Sequence, residues 1–93
     1  MVVGTLRMVL LIQDAHSLKE KRSILKGIKD RVSNKFRVSV AEVGYHDVWQ
    51  TAELGFACVG NEARHVNSVL SNLVSFVEAN PRVRLVDYEL EMT

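Results

Sequence analysis

Four strand-like apolar stretches along this chain are interrupted by two stretches whose apolar residues recur with helical spacing. The order of those stretches constrains the fold more than any other feature. Residues 2–12 form a first strand, rich in β-branched and large apolar side chains and followed by the turn-like Gln13-Asp14-Ala15-His16. A helix starts at Ser17, which forms a capping-box pattern with Glu20. Its apolar stripe is Leu18, Leu25, Ile28 and Val32, and it ends near Asn34-Lys35. Strands over 36–45 and 51–60 flank the polar tip His46-Asp47-Val48-Trp49-Gln50, short enough only for a hairpin. Asn61 caps a second helix with a stripe of Val66, Val69, Leu70, Leu73 and Val77, which Asn80-Pro81 breaks. A last strand over 83–92 sets Val86, Tyr88 and Leu90 on one face and Asp87, Glu89 and Glu91 on the other.

The resulting order, β-α-β-β-α-β, becomes with right-handed crossovers a four-stranded antiparallel sheet of spatial order 4-1-3-2 with both helices on one face. This is the ferredoxin-like α+β arrangement. The 93 residues form a single domain, 1–93. The topology gathers the start of the first helix, the hairpin tip and the Asn80-Pro81-Arg82 turn at one end. His16, Ser17 and Lys19 are therefore expected near Tyr45, His46, Asp47, Trp49 and Gln50.

Charge is unevenly distributed. The chain holds 12 Lys and Arg against 11 Asp and Glu, a net charge of +1. Eight of the basic residues, but only the acids Glu20 and Asp30, fall between Lys19 and Arg37. A nearly neutral chain that sorts its charge in this way points to a partner. The single Cys58 excludes an internal disulfide and fits a reducing compartment. The apolar run Met8 to Ile12 is too short to span a bilayer, so the expectation is a cytoplasmic protein without membrane contact.

The phrases HSLKEKRSILKGIKDRV (16–32) and FRVSVAEVGYHDVWQTAELG (36–55), with the closing helix and strand, closely resemble the YlxP-like family of small bacterial proteins of unknown function. The resemblance covers essentially the whole chain. It implies a ferredoxin-like fold. It also implies an RNA or ribosome context, because the family's genes often neighbour those for transcription elongation, translation initiation and ribosome maturation. It brings no catalytic or cofactor-binding residues.

The candidate residues fall in two groups. Lys19, Arg22, Lys26 and Lys29 follow one another at i, i+3, i+7 and i+10, one ridge beside the apolar stripe, with Lys35 and Arg37 extending it. Such a ridge can track a phosphate backbone and release its counterions. The alternative is a solvated face answered by Glu20, Asp30 and the acids of the last strand. The second group is His16, Lys21, Tyr45, His46, Trp49 and Gln50, residues that could meet a ligand or partner. Lys21 falls inside the apolar stripe, where either its stem covers core while the ammonium reaches water or it faces an anion at the helix start. Trp49 either meets a partner or folds back over the core edge.

No enzyme class fits. His16, His46 and His65 lack metal-ligand spacing, so neither a metal nor a cofactor is expected. Gly55-Phe56-Ala57-Cys58-Val59 faintly matches an RNA-recognition motif, but Cys58 stands where a stacking aromatic belongs and the first strand offers none. The glycine-rich phosphate loop of acylphosphatases is absent. Cys58, mid-strand among apolar residues, is expected to be buried and unreactive. The second strand-level signal is a first strand apolar on both faces: an exposed patch around Val9 and Leu11 would make the outer sheet face a homo-oligomeric or protein-binding surface.

Overall fold

The computed structural model describes residues 1–93. It contains β1 (Val2–Leu11), α1 (Leu18–Lys35), β2 (Ser39–Gly44), β3 (Thr51–Gly60), α2 (Ala63–Glu78) and β4 (Arg84–Met92). The strands form one antiparallel sheet in the order β2-β3-β1-β4, the ferredoxin-like arrangement. Central β1 pairs along its whole length with β3, from Val2↔Gly60 to Leu11↔Thr51. Its inward residues Leu6, Met8 and Leu10 are fully buried, as are Ala52 and Leu54 of β3. Cys58 is buried on the same face. Ile24, Leu25, Ile28 and Val32 of α1 and Val66, Leu70, Leu73, Val74 and Val77 of α2 close the core from above.

Helix α1 begins as its sequence dictates. The Ser17 hydroxyl accepts the Glu20 N–H at 3.1 Å, and the Glu20 carboxylate accepts the N–H of His16 at 3.4 Å, one residue further back than in the usual box. Its end displaces the second strand. Phe36 caps α1 with its N–H on the Val32 carbonyl at 2.8 Å, and its ring meets Phe76 of α2 edge-on at 5.6 Å. Pairing therefore starts at Ser39 rather than at residue 36. In α2 the cap position belongs to Glu62, which makes no side-chain bond, so Asn61 lies one residue too early to cap. Past α2, the Asn80 side chain accepts the Arg82 N–H at 2.9 Å, an Asx turn that carries the chain over Pro81 into β4.

The last strand departs from simple alternation. A bulge opposite Val9 and Leu10 brings Leu85 into register with Leu10 and leaves Val86 55% exposed. The residues of β4 that pack against the core are thus Leu85, Leu90 and Met92, while Val86 does not and Tyr88, in register with Met8, stays 51% exposed. Asp87 and Glu89 stay on the outer face opposite Val9 and Arg7.

Two glycines set how closely α2 approaches the sheet. A Cβ on Gly4 would lie 2.5 Å from Val66 Cγ1 and 2.8 Å from Leu70 Cδ1, and one on Gly60 would lie 2.7 Å from Val66 Cγ2. Both strands yield room to the same valine. Gly4→Ala is expected to lower stability by about 1–3 kcal/mol through overpacking. In a chain of this size the melting temperature should then fall by roughly 4–8 °C for each kcal/mol. Thermal unfolding followed by circular dichroism checks this.

Candidate functional site

The clamp at the hairpin end starts from one residue, Lys21. It occupies the first turns of α1 on the side that faces the sheet, where its neighbours are Ile24, Leu25 and Ile28, and it is only 1% exposed. Its ammonium neither snorkels to water nor faces an open anion site. It donates to the carbonyls of Tyr45 at 2.6 Å and Val48 at 2.7 Å. It also stands 3.1 Å from Glu42 Oε2, an ion pair whose angle falls outside hydrogen-bond geometry, so that this buried oxygen has no other partner. A buried ammonium is tolerated only when its charge and its protons are answered, and here a carboxylate and two carbonyls do so.

The clamp shapes the tip. The Val48 N–H closes a turn on the Tyr45 carbonyl at 3.0 Å, and the same oxygen takes the Lys21 proton. To present that carbonyl, Tyr45 adopts a left-handed φ of 57°, the single non-glycine residue to do so. Gln50 secures the other side of the tip. Its side-chain amide donates to the carbonyls of Gln13 and Ala15 at 3.2 Å each, while its own carbonyl accepts the Ile12 N–H at 2.8 Å. His46 lies with Nε2 3.2 Å from the Glu42 carbonyl. What remains outward is aromatic and apolar: Tyr45 is 50% exposed, Val48 43% and Trp49 53%. Trp49 does not fold back into the core. His16 is exposed beside the start of α1.

The topology thus brings His16, Lys21, Tyr45, His46, Trp49 and Gln50 to one end, but in two different capacities. Buried Lys21 and exposed Gln50 hold the tip in place. Tyr45, His46 and Trp49 face solvent. Glu42, the partner that neutralises Lys21, did not stand out in the sequence. Its signal was present: a lone acid at an inward position of β2, paired in register with buried Leu54.

The basic ridge is open. Lys19, Arg22, Lys26, Lys35 and Arg37 are exposed and Lys29 is half-buried against the core edge. Lys26 bonds Asp30 at 2.9 Å, an exposed i,i+4 pair of the kind worth about 0.3–0.5 kcal/mol. Lys19, Arg22, Lys29, Lys35 and Arg37 have no ion-pair partner. The Lys35 ammonium stands 4.8 Å from the centre of the Phe76 ring. The acids of β4 do not answer this ridge, because they lie on the opposite face of the sheet.

That outer face is negative and shallow. Arg7 is bound there between Glu53 and Asp87, at 3.3 Å from each. The bond to Glu53 first, then that to Asp87, raises the Arg7 pKa beyond its ordinary value. Val9 lies in register between the same two acids and is half-buried, as is Leu11. The larger exposed aliphatics on this face are Val43, Val59 and Val86. A trough of about 450 Å³ crosses the small residues Ala41, Gly55 and Ala57 toward Glu89 and Glu91. A second groove of about 450 Å³ runs between the helices over Ile28, Phe76 and Val77, with Arg31 and Arg82 on its rim. No three His, Cys, Asp or Glu side chains converge, and no helix is long and apolar enough to cross a membrane.

Comparison with known sequences matches residues 3–90 to the family described as "Protein of unknown function (DUF503)". The chain is also similar to the uncharacterized protein YlxP of Bacillus subtilis (strain 168), with 39% identity over 82 residues that cover 88% of this chain and 89% of that protein.

Replacing Lys21 tests the clamp. Lys21→Met strands the Glu42 carboxylate and the Val48 carbonyl, so a loss of about 3–5 kcal/mol is expected. The double variant Lys21→Met, Glu42→Leu should recover only part of it, because the Val48 carbonyl still lacks a donor while that of Tyr45 keeps the Val48 N–H. Urea unfolding of the three proteins gives the comparison.

Proposed function

The chain belongs to the DUF503 family of proteins of unknown function, and we propose that it is a non-enzymatic RNA-binding domain whose contact surface is the basic flank of α1. The observation that carries this reading is the open ridge: Lys19, Arg22 and Lys29 lie along one flank without carboxylate partners, and Lys26 is held only by a weak exposed pair. Lys35, the last residue of the helix, turns instead to the Phe76 ring of α2, and exposed Arg37 follows the helix end. Cations on successive turns track a phosphate backbone, and each neutralised phosphate releases counterions. Such contacts position a nucleic acid and carry little base selectivity. Ribosome-associated RNA in the cytoplasm is the class that the family resemblance favours.

A feature of helix electrostatics supports this reading. Lys19 stands in the first turn of α1, the positive end of its dipole, where a cation reduces helix stability by about 0.3–1 kcal/mol, and Arg22 follows in the next turn. Fold stability does not call for them there. An approaching polyanion does.

Affinity for RNA should fall steeply with salt, with a log–log slope of about −3 to −4 for four to six phosphate contacts on single strands and about −4 to −5 on a duplex. Reversal of Lys19, Arg22, Lys26 and Lys29 to Glu should abolish binding, with the melting temperature showing that the fold is kept. Co-sedimentation with ribosomal subunits at low and high salt provides the measurement, and failure of the wild type to bind at low salt would refute the proposal.

The bare outer sheet face supports a second reading, a homo-oligomeric or protein-binding surface, because Val43, Val59 and Val86 stand exposed on it. On that reading Val59→Asp abolishes assembly in sedimentation analysis, while the charge reversals on α1 leave it intact.

A further inference from the structure

We infer that the clamped hairpin tip is a stacking platform for unpaired bases, so that the RNA bound by the α1 flank is single-stranded where it passes Tyr45 and Trp49. This rests on the RNA-binding reading of the α1 flank and names the class of RNA that the site takes.

Three observations carry it. Two aromatic rings stand about half exposed within five residues, Tyr45 at 50% and Trp49 at 53%, with half-exposed Val48 between them. Large apolar side chains on a loop lower solubility and gain nothing for the fold, whereas indole and phenol faces stack on any base.

Next, Tyr45 keeps its ring at a cost. A φ of 57° is one that glycine or asparagine adopts far more readily, so the backbone would be better served by either. The geometry requires only the Tyr45 carbonyl, to which Lys21 and Val48 bond. The phenol ring stays half exposed and forms no aromatic pair within the fold.

Finally, the platform is rigid and adjoins the cations. The Lys21 bonds to Tyr45 and Val48, and the Gln50 bonds to Gln13 and Ala15, fix the tip to the first turns of α1. Lys19 and Arg22 flank Lys21 on that same helix segment. A strand whose phosphates lie along the α1 flank therefore arrives at the tip with its bases free to stack only if they are unpaired. A duplex keeps its base faces buried in its own stack and meets the same cations through phosphate alone. The tip thus adds affinity for one form of RNA and not the other.

Trp49 is the only tryptophan in the chain, so its emission reports on the tip directly. The probes are an unstructured oligoribonucleotide of about 12 nucleotides, within the usual range of site sizes, and a duplex RNA of matched length. The unpaired strand should quench the emission to saturation and the duplex should leave it unchanged. Trp49→Ala should weaken binding of the unpaired strand about tenfold or more and leave duplex binding as it is, while Trp49→Phe should retain most of the affinity. Tyr45→Asn should raise the melting temperature and yet weaken binding of the unpaired strand.

Equal losses on both RNAs, or emission that ignores the unpaired strand, would overturn the stacking inference. If the charge-reversed ridge loses both RNAs while Trp49→Ala binds like the wild type, stacking fails and the RNA-binding reading stands. If the wild type binds neither RNA at low salt, both fall together.

Discussion

The Lys21 ammonium ties the two halves of this molecule together. The α1 helix, the β2–β3 hairpin and the turn after β1 could each form by local rules, but nothing in those rules sets the hairpin tip against the helix start. One cation does so, reaching Glu42 on the strand and two carbonyls on the tip. Burying a charge gains little net stability over an apolar residue of the same size. Its effect lies in direction, because an ammonium left without all three acceptors is costly and so a displaced tip is penalised steeply. A leucine at position 21 would hold the helix on the sheet without specifying where the hairpin points.

That constraint also separates the charges. Lys21 and Glu42 neutralise one another inside, and Lys19, Arg22, Lys26 and Lys29 gather on one flank of α1. Arg7 is locked between Glu53 and Asp87 on the other side of the sheet, where Glu89 and Glu91 make no ion pair. The sheet lies between the two surfaces. A nearly neutral chain is thereby bipolar, and its net charge conceals the potential that a partner would meet at either face.

Most of this architecture is legible in the sequence, because it rests on periodicity and local caps. The strand order, the Ser17–Glu20 cap and the grouping of His16, Tyr45, His46, Trp49 and Gln50 at one end all follow from residue spacing. The departures share a cause in tertiary contact. Phe36 leaves the second strand because its ring finds Phe76, 40 positions away in sequence. Val86 leaves the buried face because β4 bulges against β1. Asn61 yields the cap to Glu62 because the chain turns into α2 one residue later. The position of Lys21 in the apolar stripe marks it as unusual, but its acceptors are two backbone oxygens and a distant acid, and backbone oxygens leave no trace in a sequence.

Local costs in this protein are not spread evenly. Near the far end of the sheet, Gly4 and Gly60 stand where close packing under Val66 requires them, and the chain there is locally consistent. At the hairpin end it is not. Tyr45 takes a backbone conformation suited to glycine, Trp49 stays half exposed to water, and Lys19 stands at the positive end of a helix dipole. Stability alone accounts for none of these. Sequences under selection for folding remove such conflicts unless a contact outside the fold rewards them, and conflicts that converge in space mark where that contact is made. The burial of Lys21 and the strain at Tyr45 are moreover one arrangement, since the carbonyl that Lys21 requires is the one that the left-handed turn presents. The same tip leaves Tyr45 and Trp49 half exposed, and so the clamp that orders the fold also displays both aromatic side chains.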